Sequence, residues 1–250
     1  MEDPKVHGSK TSSETTFFEL PQELIWKMLY HLPPKDVVHF CLTHLAAANI
    51  ICKNNDFWFE KIMKDFGDTF QIEREDIPVT DRVGTYKSYW EDAHEKLIPC
   101  VERGKVECVQ SLLRIGVDPN TQNRFGTTPL MAASREGLVD MVRLLLDIRI
   151  RAKPNIQNIY GDTALRFAST KGYPDIVRML LEHDADPDIQ DTKDTTALIE
   201  ASWLGHTDVV RLLLEHGANP DIINNGRETA VMLAFEGEHD DIVRLLEPTL

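Results

Sequence analysis

Val139-Asp-Met-Val-Arg-Leu-Leu-Leu146 comes back as Pro174-Asp-Ile-Val-Arg-Met-Leu-Leu181, Thr207-Asp-Val-Val-Arg-Leu-Leu-Leu214 and Asp240-Asp-Ile-Val-Arg-Leu-Leu-Glu247. The intervals are 35, 33 and 33 residues, and a weaker copy, Val106-Glu-Cys-Val-Gln-Ser-Leu-Leu113, stands 33 residues ahead of the first. A fixed period of that length marks a stacked array of small units. Within each copy the apolar residues fall at i, i+1, i+3, i+4 and i+5 or nearby, the broad stripe of a short buried helix.

A second pattern lies upstream of each copy: Thr128-Pro-Leu130, Thr163-Ala-Leu165, Thr196-Ala-Leu198 and Thr229-Ala-Val231. A Thr at the start of a short helix can accept from its free N–H groups. Small residues follow (Ala132, Ala133 and Ser134; Ala168 and Ser169; Ala201 and Ser202; Ala234), and they let the next helix pack close. Gly104, Gly137, Gly172 and Gly205 stand between the paired helices, where a turn commonly needs positive φ. The last copy has Glu238 at that position and Gly237 one residue earlier. Asp118-Pro-Asn120, Lys153-Pro-Asn155, Asp186-Pro-Asp188 and Asn219-Pro-Asp221 end the second helices and open turn-rich connectors. A helix pair of this size cannot bury its apolar face alone, so neighbours must stack.

The unit resembles the ankyrin repeat, most clearly in Gly126-Thr-Thr-Pro-Leu-Met-Ala-Ala-Ser-Arg-Glu-Gly137 and Leu212-Leu-Leu-Glu-His-Gly-Ala-Asn-Pro-Asp221. The resemblance covers about 95–250 and divides it into units at 95–124 (atypical), 125–158, 159–191, 192–224 and 225–250. It implies a solenoid of helix pairs with short β-hairpin-like connectors. Where the family has His after Thr-Pro-Leu this chain has Met131, Arg166, Ile199 and Met232, so a turn-stabilising hydrogen bond is expected to be lost in each repeat. Two extra residues around Ile148-Arg-Ile-Arg-Ala-Lys153 predict one longer finger or loop. With Leu250 just after the last helix, that helix is expected to act as the cap.

The 250 residues are 42% hydrophobic and 27% charged, with a formal net charge of −14. Such a surface repels phosphate backbones and disfavours nucleic-acid binding. No apolar run is long enough to cross a bilayer, and the N-terminus has no signal-peptide core. Cys41, Cys52, Cys100 and Cys108 are irregularly spaced and make no disulfide framework. A reducing compartment, cytoplasm or nucleus, is therefore expected.

Catalytic readings are weak. His206 with Asp208 and His239 with Asp241 share a spacing, but Asp140, Asp175, Asp208 and Asp241 recur at one repeat position, where they favour the N-terminal end of a helix dipole. Cys41, His44 and Cys52 lack the paired Cys-x-x-Cys clusters of a zinc site. Neither phosphate-loop, nucleophile-elbow nor zinc-protease motifs occur, so no enzyme activity, metal or cofactor is expected.

Residues 1–16 are polar and read as a disordered tail. From Phe17 the texture changes: Leu24, Ile25, Met28, Leu29 and Leu32 form a helical stripe between Pro21 and Pro33-Pro34. A second helix is expected from Lys35-Asp36 through Leu42, and an apolar cluster follows at Phe57, Trp58, Phe59 and Ile62. About 45 residues build a self-sufficient core only with difficulty. The order Leu20-Pro-Gln-Glu-Leu-Ile25, then Leu32-Pro-Pro-Lys-Asp-Val-Val38, then Trp58 resembles an F-box over 17–62. Between them Thr43-His-Leu-Ala-Ala-Ala-Asn49 departs from the family, and Trp26 is bulkier than usual. The fold class expected is all-α, a three-helix F-box-like module ahead of an ankyrin solenoid, joined by a connector at 63–94 whose Tyr86-Lys-Ser-Tyr-Trp-Glu91 packs one onto the other. The plainer alternative is a helical cap on the first repeat.

The F-box resemblance implies docking on the adaptor subunit of cullin–RING ubiquitin ligases through Leu20, Pro21, Glu23, Leu24, Ile25, Leu29, Leu32, Pro33, Val37 and Val38. The ankyrin pattern implies that a target protein meets Arg124, Phe125, Arg135, Tyr160, Asp162, Lys171, Lys193, Trp203, Leu204 and Glu228. Of these Trp203 reads best as surface, because Arg135, Thr170 and Glu236, its neighbours in register, are polar. Together the two halves imply a receptor that brings targets to the ligase, a layout also frequent in large DNA viruses that redirect host ubiquitination, with the host cytoplasm as its site. An adaptor decoy and a non-degradative ankyrin scaffold are the alternatives.

Overall fold

The computed structural model describes residues 29–32, 36, 61–62, 64–65 and 82–247. The chain divides into two compact units, Met1–Asp92 with Arg114–Gly116, and Ala93–Leu113 with Val117–Leu250. The tail at 1–16, most of the F-box-like stretch, Trp58 and the Cys41, His44 and Cys52 set lie outside the described residues. Ten helices occur between Arg82 and Leu246, and no strand occurs among the described residues.

They are α1 (Arg82–Glu102), α2 (Val106–Arg114), α3 (Pro129–Arg135), α4 (Val139–Leu146), α5 (Ala164–Lys171), α6 (Pro174–Glu182), α7 (Ala197–Trp203), α8 (Thr207–Glu215), α9 (Ala230–Glu236) and α10 (Asp240–Leu246). α1 runs unbroken across residue 94, so the stretch read as connector is helical from Arg82 onward. None of these helices is long and apolar enough to cross a membrane.

In the first unit Lys61 is buried and organises its surroundings. Its Nζ donates to the carbonyls of Tyr30 at 3.0 Å and Leu32 at 2.7 Å, where the helix containing Leu29 and Tyr30 ends. A cation there satisfies carbonyls that a helix leaves without partners. Asp65 neutralises it at 2.9 Å and accepts from the Tyr86 hydroxyl, also at 2.9 Å. Burial lowers the Lys61 pKa below the ordinary lysine value against the opposing pull of Asp65.

In the second unit α3, α5, α7 and α9 pack side by side as one layer, and α4, α6, α8 and α10 as the other. The first layer packs closely because Ala132, Ala133, Ser134, Ala168, Ser169, Ala201, Ser202 and Ala234 are fully buried in it. Thr128, Thr163, Thr196 and Thr229 cap these helices, each Oγ1 accepting from the N–H three residues on at 3.2, 3.2, 3.3 and 3.4 Å. The second layer buries the repeated apolar stripe: Met141, Val142 and Leu145 in α4, Ile176, Val177 and Leu180 in α6, Val209, Val210 and Leu213 in α8.

The two extra residues form a turn after α4, with Ile150 and Arg151 donating to the Asp147 carbonyl at 2.8 and 3.0 Å. The other cysteine expectation is corrected. Cys100 and Cys108 are joined in a disulfide, because the tight turn between α1 and α2 brings their Cα atoms to 6.1 Å. In α9 Met232 is 52% and Phe235 74% exposed, at the register positions where Ile199 and Ser202 are buried by the next repeat.

Candidate binding surface

Each connector closes on itself as a finger. Asn123, Asn158, Asp191 and Asn224 donate their N–H to the carbonyls of Thr127, Asp162, Thr195 and Glu228, and the same side chains accept from those residues' N–H groups. The expected hairpin-like shape is thus made by turns, with an Asx side chain inside each loop.

The fingers are also tied to one another. The N–H groups of Ile159, Thr192 and Asn225 donate to the carbonyls of Phe125, Tyr160 and Lys193 at 3.1, 3.0 and 3.0 Å. This ladder sets the tip residues in one row: Arg124 and Phe125, Ile159 and Tyr160, Thr192 and Lys193. A second row is made by the C-terminal ends of the first-layer helices: Arg135, Lys171, then Trp203 and Leu204. Phe125, Tyr160 and Trp203 are 41, 54 and 46% exposed. The Arg124 guanidinium lies 4.6 Å from the Phe125 ring centroid, and Lys171 and Lys193 are exposed.

Other expected contact residues are occupied in holding the array. Asp162 is buried, held by Arg166 and by the Asn158 amide at 3.1 Å, so it is corrected from target contact to framework. Arg135 pairs with Glu102 at 2.9 Å and Glu136 at 3.0 Å. Glu228 accepts from Asn224 inside its own finger at 2.9 Å. In the first unit Leu29 is buried and belongs to the core, which corrects its place in a docking surface, while Leu32 is partly exposed. Leu20, Pro21, Glu23, Leu24, Ile25, Pro33, Val37 and Val38 lie outside the described residues.

A family model described as ankyrin repeats, in three copies, matches residues 97–191 and 184–248, more than half of the chain. The chain belongs to the ankyrin-repeat family. No curated protein matches it. The F-box-like stretch at 17–62 lies outside both matched ranges.

Within this ankyrin array the replaced histidines do not simply lose a bond. Thr128 N–H donates to the Met131 sulfur at 3.4 Å, beside the reciprocal cap. Arg166 reaches three carboxylates, Asp162 at 2.5 Å, Asp191 at 2.9 Å and Glu200 at 3.4 Å, and so ties its finger to the next finger and to α7. His206 and His239, which tempted a catalytic reading, contact the carbonyls of Thr170 and Trp203 through Nε2 at 3.1 Å each. Their Asp partners in sequence sit in the first turns of α8 and α10. Among the described residues no cluster of three or more His, Cys, Asp or Glu could hold a metal ion.

Sequence reasoning passed over Ile159, 57% exposed and in register with Arg124. The alignment of Gly126 with Gly161 would have found it. It also passed over Lys61, whose carbonyl partners, Tyr30 and Leu32, lie about thirty residues away in sequence and carry no local signal.

Proposed function

We propose that this chain is a two-ended adaptor: its N-terminal F-box-like stretch docks on the adaptor subunit of a cullin–RING ubiquitin ligase, and its ankyrin array holds a target protein for ubiquitination. The observation that supports a target-holding role is the line of half-exposed aromatic residues, Phe125, Tyr160 and Trp203, on a surface stiffened by the finger ladder. Exposed aromatics on a rigid surface are the side chains that carry most binding energy at interfaces. Stiffness also suits the ligase role, because transfer to a lysine depends on how often the target is presented within reach. The ligase end rests on the resemblance of Leu20 to Val38 and Trp58 to an F-box. The cytoplasm or nucleus is the compartment where such a receptor acts, the host cytoplasm if the chain is viral.

An affinity pull-down of the full chain beside two variants tests both ends. Changing Leu20 and Pro21 to Ala is expected to remove ligase adaptor and cullin while leaving target proteins bound. Trp203→Ala is expected to do the reverse. Absence of adaptor from the wild-type pull-down would leave an ankyrin scaffold. Adaptor capture with no target whose abundance rises when binding is broken would leave a decoy.

A further inference from the structure

Along the first layer each helix has its far side closed by the helix of the next repeat, α5 by α7 and α7 by α9. On α9 that side carries Met232 and Phe235, both exposed. In α10 Val243, Leu245 and Leu246 are only half-covered, whereas Val210, Leu212 and Leu213, their counterparts in α8, are buried. The end of the array is therefore an apolar face built from two helices, and in every earlier repeat the equivalent face holds helices. Such a face accepts an amphipathic helix laid alongside it.

A further repeat of the same kind does not fit there. Gly137, Gly172 and Gly205 each lie against a ring of the following repeat: a Cβ built on them would come within 2.8, 2.7 and 2.5 Å of Tyr173, His206 and His239. At the same register position the last unit has Glu238, held at φ +59°. Its side chain begins in the space that the next ring would need. The Glu238 carboxylate is exposed and has no hydrogen-bond or ion-pair partner among the described residues, and the same holds for Asp240. From residue 225 onward the chain carries six acidic residues and two basic ones, and of the basic pair Arg244 is taken up by Asp241 at 3.3 Å. An apolar face with an acidic border is complementary to a helix that is apolar on one side and basic at its margin.

We propose that the end face of α9 and α10 binds an amphipathic, basic helix of a partner protein. Its aliphatic side chains rest on Met232, Phe235 and Leu246, and a lysine or arginine at its margin pairs with Glu238. The site shares no residue with the target surface and rests on neither that reading nor the F-box reading.

The test uses the full chain at about 0.15 M salt, where long-range attraction between exposed charges is largely screened. The probe is a capped peptide, Ala-Lys-Leu-Ala-Lys-Leu-Leu-Lys-Ala-Leu-Lys-Ala, and a second peptide has Glu in place of every Lys. On titration with the first peptide, NMR shift changes are expected to gather in α9, α10 and the turn between them. Phe235→Ala is expected to weaken binding about tenfold. Glu238→Gln is expected to weaken it about three- to fivefold, as loss of one exposed ion pair does. Glu182→Gln and Trp203→Ala are expected to leave it unchanged, and the Glu peptide is expected not to bind. The inference is overturned if the Lys peptide fails to bind at millimolar concentration or if the Glu peptide binds equally well. It is overturned too if Glu182→Gln costs as much as Glu238→Gln, which would mean plain attraction to a chain of net charge −14. Sedimentation of the chain alone is expected to show a monomer; a dimer that Phe235→Ala dissolves would put a second copy on the face and overturn the partner helix.

Discussion

Gly205 and Gly217 form a controlled pair. Both sit in the left-handed region, at φ +77° and +83°. A Cβ built on Gly205 would lie 2.5 Å from Cε1 of His239 and 2.8 Å from both ring nitrogens, whereas one on Gly217 would meet nothing within 4 Å. The His239 ring has little freedom to retreat, because its Nε2 is bonded to the Trp203 carbonyl at 3.1 Å. The left-handed backbone alone costs an L-residue about 1–2 kcal/mol. Forcing a methyl group into a packed contact adds about 1–3 kcal/mol. Gly→Ala also stiffens the unfolded chain, by roughly the same amount at both sites, so that contribution drops out of the difference. Gly217→Ala is therefore expected to lower stability by about 1–2 kcal/mol and Gly205→Ala by about 2–5 kcal/mol. Urea unfolding followed by far-UV circular dichroism reads both, provided the slope stays common to wild type and variants. Adding His239→Ala to Gly205→Ala separates the clash from the backbone strain, since the double variant should recover the packing part. Equal losses at the two glycines, within about 0.5 kcal/mol, would refute the steric argument.

Arg166→Met leaves Asp162, Asp191 and Glu200 facing one another without their cation, so a loss of about 3 kcal/mol is expected in thermal or urea unfolding. Arg166→Lys should rescue little of it, because an ammonium has no planar fork to divide among three carboxylates. The hydroxyls of Ser169 and Ser202 are buried without a hydrogen-bond partner, so Ser169→Ala and Ser202→Ala should each raise stability by about 1 kcal/mol; a loss on either substitution counts against that. The Asp147 pKa is lowered to about 2 by the Arg149 guanidinium and by the Arg149 N–H. Its contribution to stability is present above the ordinary carboxylate pKa near ~3.9 and fades as pH falls through about 2. An NMR titration should find that low value, and Arg149→Ala should move it up toward the ordinary range.

What was legible in the sequence was whatever repeats. The stripe of α4, α6, α8 and α10, the Thr caps and the turn glycines each occur several times, so their spacing alone places them. The Glu238 irregularity was legible in the same way, and the structure gives it φ +59°, with the turn keeping its shape despite the missing glycine. Interactions between different elements were not legible. Cys100 and Cys108 look like two of four unrelated cysteines until the α1–α2 turn brings them together. Arg166 reads as a missing histidine, and nothing local announces that Asp191 and Glu200 converge on it.

Burial in a stacked array is a property of the neighbour as much as of the residue, and here sequence periodicity misleads about the ends. Ser202 and Phe235 occupy one register position, yet one is fully buried and the other 74% exposed, because only the first has a following helix against it. The same rule acts on the backbone: Ile159, Thr192 and Asn225 donate to a preceding finger, while the Arg124 N–H has none to meet. A side chain or peptide group identical in register is thus framework inside the array and available at its edge. Trp203 needs no edge to be exposed. It stands where the other repeats carry Arg135, Thr170 and Glu236, and its indole remains half exposed although both neighbouring repeats are present. An apolar ring kept in water at an interior position has no packing reason to be there, which is the physical ground for proposing Trp203 as a target contact.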